Sequence, residues 1–185
     1  MRFEDLATHA SLEHIFRAEL GALAGAVGNR MITRFMSGAG GALRHGTGST
    51  ISTLATASGT IANATRSVQR DRKSQLTGQV AGGTVDYRLL RPRLPAISFG
   101  FRTTLKGAIG GTQGLDLFIK DFNVPYCTRN YTATLRFEIC DDFGVDTSDL
   151  YSSGLISFWV LQHERGGHQP FINGIILEKD ISGRF

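Results

Sequence analysis

The spacing of apolar residues changes once along the chain, from a helical repeat before about residue 84 to a strand repeat after it. Apolar residues three or four positions apart lie on one face of an α-helix, whereas strict alternation is typical of a half-buried strand. The sequence therefore predicts an α+β fold, in which an N-terminal helical hairpin is followed by a curled antiparallel β-sheet. We expect residues 1–83 to form the helical part and residues 84–185 the sheet part of one compact unit.

Two helices are predicted in the first part. Ser11 suits the N-cap of a helix over about 11–36, after an irregular arm at 1–10, and Ser49 or Thr50 suits the cap of a second helix. The glycine-rich stretch between them predicts a flexible connector, because it lacks the Lys-Ser/Thr ending of a phosphate-binding loop. The two apolar stripes consist of Leu12, Ile15, Phe16, Leu20, Leu23, Val27, Met31 and Phe35, and of Ile51, Leu54, Ile61, Val68 and Leu76.

Alternation predicts strands at 97–102, 115–120 and 131–140. The segment 155–163 is apolar throughout, so its period does not decide between strand and helix. Its aromatic and β-branched residues favour a strand. Gly166-Gly167 would then form the turn that connects this strand to the next one. We therefore predict a hairpin here, with a helix followed by a strand as the alternative.

Charge and cysteine content leave several classes of protein open. The net charge is +4, made up of +6 in residues 1–96 and −2 in residues 97–185. The basic first half suits nucleic acid, an anionic membrane or an acidic partner, although solvated helix faces explain it equally well. Cys127 and Cys140 are too few for a disulfide framework. We expect buried free thiols, with a pair between neighbouring strands as the alternative.

Carboxylates are concentrated at the end of the clearest strand, where five fall within residues 138–149. Crowded carboxylates repel each other, so one of them can keep a raised pKa and act as a general acid. Their oxygens can equally bind Mg²⁺ or Ca²⁺. The candidates for this chemistry are Asp142, Asp146 and Asp149, and an acidic turn without chemistry is the alternative.

A second polar cluster, Gln162-His163-Glu164-Arg165, follows the apolar segment. His163 at the edge of the core could serve as a base, an acid or a metal ligand. A zinc site is not supported, because the cysteine pair that would complete it is missing. A hydrogen-bonded histidine at a strand end is the alternative.

An ordered set of motifs over about residues 30–178 resembles a bacterial domain family of unknown biochemistry, whose genes occur beside type VI secretion and polymorphic-toxin genes. The motifs are Thr112-Gln113-Gly114, Asp116-Leu-Phe-Ile-Lys-Asp-Phe, Tyr131-Thr-Ala-Thr-Leu-Arg, Asp141-Asp-Phe-Gly-Val-Asp146 with Asp149, Phe158-Trp-Val-Leu-Gln-His163 and Pro170-Phe171-Ile. One departure is Asp141-Asp142, where the family shows Asp-His. The resemblance implies a toxin delivered into rival bacteria by a secretion-system carrier, with a cognate immunity protein. We see no secretory signal in the chain, which fits such delivery.

A more limited similarity links the two polar clusters to colicin M-like bacteriocins, which cleave a lipid-linked peptidoglycan precursor at its pyrophosphate with Mg²⁺. Asp141-Asp142-Phe143 and His163-Glu164-Arg165 offer similar residue types, but the order Asp-x-Tyr-Asp of those proteins is absent and the spacing to His163 is longer. On this interpretation Asp142 and Asp146 bind Mg²⁺ or act as acid/base groups. His163 transfers a proton, and Arg165 neutralises phosphate charge. Asp149 and Gln162 orient the other residues.

These observations predict an antibacterial effector that acts on the cell envelope in the target periplasm, as a Mg²⁺-dependent hydrolase. One alternative is a non-enzymatic membrane toxin or binding module that acts through the helix at 11–36. A metal-dependent nuclease is a further alternative, which the absence of a strong nuclease motif makes less favoured.

Overall fold

The computed structural model of the chain describes residues 3–81, 114–125, 128–145, 147, 150, 153–164 and 167–185. In chain order, their helices and strands are α1 (Phe3–Met36), β1 (Ala42–His45), α2 (Thr50–Ala57), α3 (Gly59–Ala81), β2 (Gly114–Asn123), β3 (Asn130–Phe143), α4 (Ser153–His163) and β4 (Phe171–Arg184). The predicted α+β class, with an N-terminal helical hairpin followed by a sheet, is confirmed. Among the described helices none is both long and apolar enough to cross a bilayer.

The strands form one open, mixed sheet in the order β1-β4-β3-β2. The amide of Ile172 donates to the carbonyl of Gly41, and Gly174 lies beside Leu43, so β1 and β4 run in the same direction. This parallel edge strand lies in the glycine-rich stretch where the sequence predicted only a connector. The alternating strands predicted a purely antiparallel sheet. The parallel pair β1 and β4 makes the sheet mixed instead.

The chain divides into two compact units, the first containing α1 and residues 140–174 and the second containing α2, α3, β2 and the remainder of β3 and β4. In the first unit, α1 is broken at Gly25, whose φ is +54°. The Phe158 ring of α4 lies 4.5 Å from the Phe16 ring and 4.4 Å from the Phe35 ring, centroid to centroid. A straight helix would separate residues 16 and 35 by about 28 Å. The break at Gly25 therefore lets both segments of α1 pack on α4.

In the second unit, Ser58 divides the predicted second helix into α2 and α3. Its backbone N–H donates to Ala55 O, and its side-chain oxygen accepts from the amide of Ile61 at 3.2 Å. The predicted cap Ser49 is confirmed, since its hydroxyl accepts from the Ser52 amide. The buried apolar residues of α3 and of the parts of β3 and β4 in this unit are Ile61, Ala64, Val68, Leu76, Tyr131, Ala133, Leu135, Phe137, Ile139, Ile175, Leu177 and Ile181.

Three local predictions are wrong. The supposed arm at 1–10 is helical from Phe3, and the supposed strand at 155–163 is the helix α4. Cys140 is a free but exposed thiol, because it lies on the outer face of β3. The predicted strand at 97–102 and Cys127 lie outside the described residues.

Four basic residues lie within residues 66–73 of α3, and not all of them are exposed to solvent. Arg72 is fully buried, because it lies four residues from both Val68 and Leu76 on the inner side of the helix. Burial lowers the pKa of its guanidinium, and the neighbouring Asp71 carboxylate opposes that shift. Its Nη1 donates to Gln75 Oε1 at 2.9 Å.

Candidate functional site

The acid-rich end of β3 presents Asp142 to solvent and buries its neighbours. Alternation along the strand points Asp141 and Phe143 inward and leaves Asp142 on the exposed face. The Phe143 ring packs on those of Phe158 and Phe171, which anchors the strand end in the first unit. Asp142 is thus an exposed carboxylate on a firmly held backbone.

Gln162 of α4 holds the turn that follows β3. Its Oε1 accepts from the Val145 amide and its Nε2 donates to the Val145 carbonyl, each at 3.1 Å. The side chain therefore satisfies both backbone groups of one residue, much as a neighbouring strand would. A Cβ at Gly144 would lie 3.1 Å from Gln162 Oε1 and 3.2 Å from Pro170 Cβ, so a side chain there would crowd this contact.

His163 is the next residue on α4 and is exposed. Its Nδ1 lies 3.1 Å from the carbonyl oxygen of Trp159, one helical turn earlier. Because a carbonyl can only accept, Nδ1 carries the hydrogen of this bond and the lone pair of the neutral ring is at Nε2. Gln162 Nε2, whose donor character is set by its bond to Val145, lies 3.5 Å from that atom. The arrangement presents Nε2 as a proton acceptor.

The indole of Trp159 supports the imidazole. The two rings stack with centroids 4.6 Å apart and an interplanar angle of 22°. Stacking and the Nδ1 hydrogen bond together restrict the orientation of the imidazole.

The predicted site residues fall into two groups. Asp142, Gln162 and His163 are described, and Gln162 connects the end of the acid-rich strand to His163. Asp146, Asp149 and Arg165 lie outside the described residues. No group of three or more potential metal-binding side chains occurs in the part of the chain that the structure describes.

Two further residues that shape the site were missed from the sequence. Glu19 of α1 caps α4, since its carboxylate accepts from the Ser153 hydroxyl and, at 2.8 Å, from the Gly154 amide. The strand predicted over 155–163 separates residues 159 and 163, whereas the helix α4 places them one turn apart. Ser153 before an apolar run was the available signal for such a helix.

Comparisons of the chain with models of known families, with curated proteins and with solved structures found no match. The resemblance to the secretion-associated family and the similarity to colicin M-like bacteriocins therefore stay predictions. The hydrogen bonds of Gln162 and His163 are the structural observations that bear on function.

Proposed function

We propose that the protein is an antibacterial effector toxin that hydrolyses a phosphate-containing substrate of the cell envelope. The observation that supports this most is the double hydrogen bond between Gln162 and Val145, which ties the acid-rich strand end to the helix end that carries His163. A lipid-linked peptidoglycan precursor is the substrate that the similarity to colicin M-like bacteriocins suggests. A cognate immunity protein and a secretion-system carrier are the partners in this proposal.

The chemistry proposed for His163 is general-base catalysis. Its Nε2 lone pair, once released from the Gln162 amide nitrogen 3.5 Å away, takes a proton from the attacking water, while the Nδ1–H remains hydrogen-bonded to the Trp159 carbonyl. Gln162 acts through its neighbours: it positions the strand end and the imidazole rather than touching the substrate.

In this proposal the carboxylates bind the metal ion or act as general acids. Mg²⁺ is usually held by one or two carboxylates together with substrate phosphates and water. Asp142 with Asp146 fits that requirement by residue type, and the bound Mg²⁺ would neutralise charge on the phosphates. Arg165 adds a planar donor for the same charge, and Asp149 orients the others.

Expression in a susceptible bacterium, with and without an exported leader, tests the target compartment. Killing that requires export supports an envelope substrate. Killing only in the cytoplasm contradicts it, and loss of nucleic acid there would favour the nuclease alternative. Dye leakage from protein-free liposomes would favour a membrane-disrupting toxin.

The role of Asp142 is tested by the change Asp142→Asn, with Asp116→Asn as the matched control. Both residues are exposed aspartates on strands, but only Asp142 is three residues from Val145, to which Gln162 is hydrogen-bonded. We expect Asp142→Asn to lower killing at least about 100-fold, as the loss of an acid/base group does, and Asp116→Asn to leave it unchanged. Equal killing by the two variants would remove Asp142 from the site.

A further inference from the structure

The C-terminal part of α1 lines a cleft in the first unit. Its volume is about 420 Å³, which is within the usual range for sites that bind small molecules. Among the described residues that line it, all but one can form side-chain hydrogen bonds, two are arginines and none is a carboxylate. These residues are Asn29, Arg30, Thr33, Arg34, Ser37 and Ala39. The cleft is therefore polar and basic.

The positive charge of this cleft is not balanced by acids nearby in the sequence. Residues 20–70 contain five arginines and no aspartate or glutamate, and the acid that precedes them, Glu19, is bonded to the N-terminus of α4. Arg30 and Arg34 are four positions apart on α1, so they share a face, and like charges at this spacing repel each other. The carbonyl end of a helix favours a cation, but it does not explain two arginines in one cleft without a carboxylate.

Contacts within the protein already hold Arg34 in place. Its Nη2 donates to the Gly40 carbonyl at 3.0 Å, and its guanidinium carbon lies 5.2 Å from the centroid of the Phe171 ring. A restricted side chain loses less conformational freedom when it binds an anion. Among the described residues, none accepts a hydrogen bond from its Nε, which is buried, and no carboxylate pairs with Arg30 or Arg34. Both guanidiniums thus keep donors for a ligand.

We propose that this cleft binds the phosphate group of a phosphomonoester. Such a group carries about 1.5 to 2 negative charges at neutral pH and three strong acceptor oxygens, which suits two guanidiniums together with the donors of Asn29 and Thr33. A carboxylate offers one charge and two oxygens, so it fits less well. The Ser37 hydroxyl is not one of the donors, because it already donates to the Arg34 carbonyl at 2.7 Å.

The inference does not depend on the proposed hydrolysis, because none of the residues assigned to that reaction is among those that line the cleft. Binding is measured by calorimetric titration of the full chain with glycerol 3-phosphate and, separately, with dimethyl phosphate, a diester with a single charge. We expect glycerol 3-phosphate to bind at least about tenfold more tightly, since the loss of one charge-assisted hydrogen bond corresponds to about that factor.

A soluble ester and a lipid headgroup can both present this group, and a competition experiment distinguishes them. Phosphatidylcholine vesicles containing phosphatidic acid are added during the titration with glycerol 3-phosphate. Competition by these vesicles, but not by pure phosphatidylcholine vesicles, assigns the cleft to a lipid headgroup. Unchanged binding assigns it to a soluble ester. Either result supports the phosphate site.

The change Arg30→Gln tests the cleft without disturbing the bond from Arg34 to Gly40. Its matched control is Arg70→Gln, because Arg70 is also an exposed arginine on a helix of the acid-free stretch but does not line the cleft. We expect Arg30→Gln to weaken binding of glycerol 3-phosphate about tenfold and the control to change it less than about twofold. Circular dichroism and the melting temperature show whether both variants are folded.

Three results would overturn the proposal. One is the absence of binding of glycerol 3-phosphate at millimolar concentration, and another is binding of dimethyl phosphate that is equally tight. The third is equal weakening by Arg30→Gln and Arg70→Gln, because the basic stretch would then attract anions through its general charge rather than at this cleft.

Discussion

Tyr131 on β3 and Gly183 on β4 face each other, and the Tyr131 side chain occupies the space that a side chain at position 183 would need. The Tyr131 side chain is buried, which raises the pKa of its hydroxyl. A Cβ at Gly183 would lie 2.6 Å from each of three atoms of that side chain, two in the ring and the hydroxyl oxygen. Glycine is thus required here for close approach of a ring, and a glycine within a strand often marks such an approach without showing which residue approaches.

The first prediction concerns two glycines with opposite expected effects. Gly183→Ala should lower the free energy of unfolding by about 1–3 kcal/mol, because its methyl group overlaps the Tyr131 ring. Gly78→Ala should raise it by about 0.5–1 kcal/mol, because Gly78 lies within α3 with open space at its Cβ. Urea unfolding followed by circular dichroism measures both. The same sign for the two changes would contradict the packing described for Tyr131.

The sequence indicated His163 and Gln162 as candidate site residues, but it did not indicate the contacts that they make. His163 stood out as a histidine at the edge of an apolar segment. The tautomer of its ring is set by the Trp159 carbonyl, and Gln162 acts on Val145, seventeen residues away. Contacts of this kind depend on the type and position of α4, which sequence periodicity left undecided.

At the scale of elements, β2 shows where a simple period fails. Lys120 contacts Glu178 on the outer face of the sheet, whereas Phe122 stacks on the buried Tyr131. Residues two apart in a regular strand face the same way, so β2 changes face between them. Asp121 lies at that point with φ at +50°, a conformation that aspartate tolerates better than most residues. Alternation predicted the strand correctly as far as this residue.

Helix α4 was predicted as a strand because its residues are apolar on every side. Its identity is decided by tertiary contacts: Phe158 inserts between the two segments of α1, and Glu19 satisfies the amide at its N-terminus. Aromatic and β-branched residues favour strands only weakly, and packing of this kind readily overrides the preference.

The second prediction tests the cap of α4. Glu19→Ala should lower the free energy of unfolding by about 1–2 kcal/mol, since the Gly154 amide and the Ser153 hydroxyl lose their acceptor. Glu13→Ala is the matched control on the same helix. It removes only a partly exposed ion pair with Arg17, so its effect should stay within about 0.5 kcal/mol. Thermal unfolding of the two variants compares them, and equal losses would mean that Glu19 does not stabilise α4.

At the scale of the whole molecule, the change of period near residue 84 predicted the α+β class correctly. The period did not predict how distant segments pair. The strand β1, from the glycine-rich stretch, lies parallel beside β4, which is more than 120 residues away in the sequence. The helical and sheet parts are also interleaved, since α1 shares a compact unit with residues 140–174. Pairings between distant segments leave no periodic signal, so a single sequence cannot show them.

The central claim is that His163 acts as the base at a site assembled by Gln162. The most direct measurement is killing by the exported chain carrying His163→Ala, compared with His14→Ala, a second exposed histidine that lies on α1. We predict that His163→Ala loses killing by at least about 100-fold while its expression and melting temperature match those of the control. Killing by His163→Ala at the level of His14→Ala would contradict the claim.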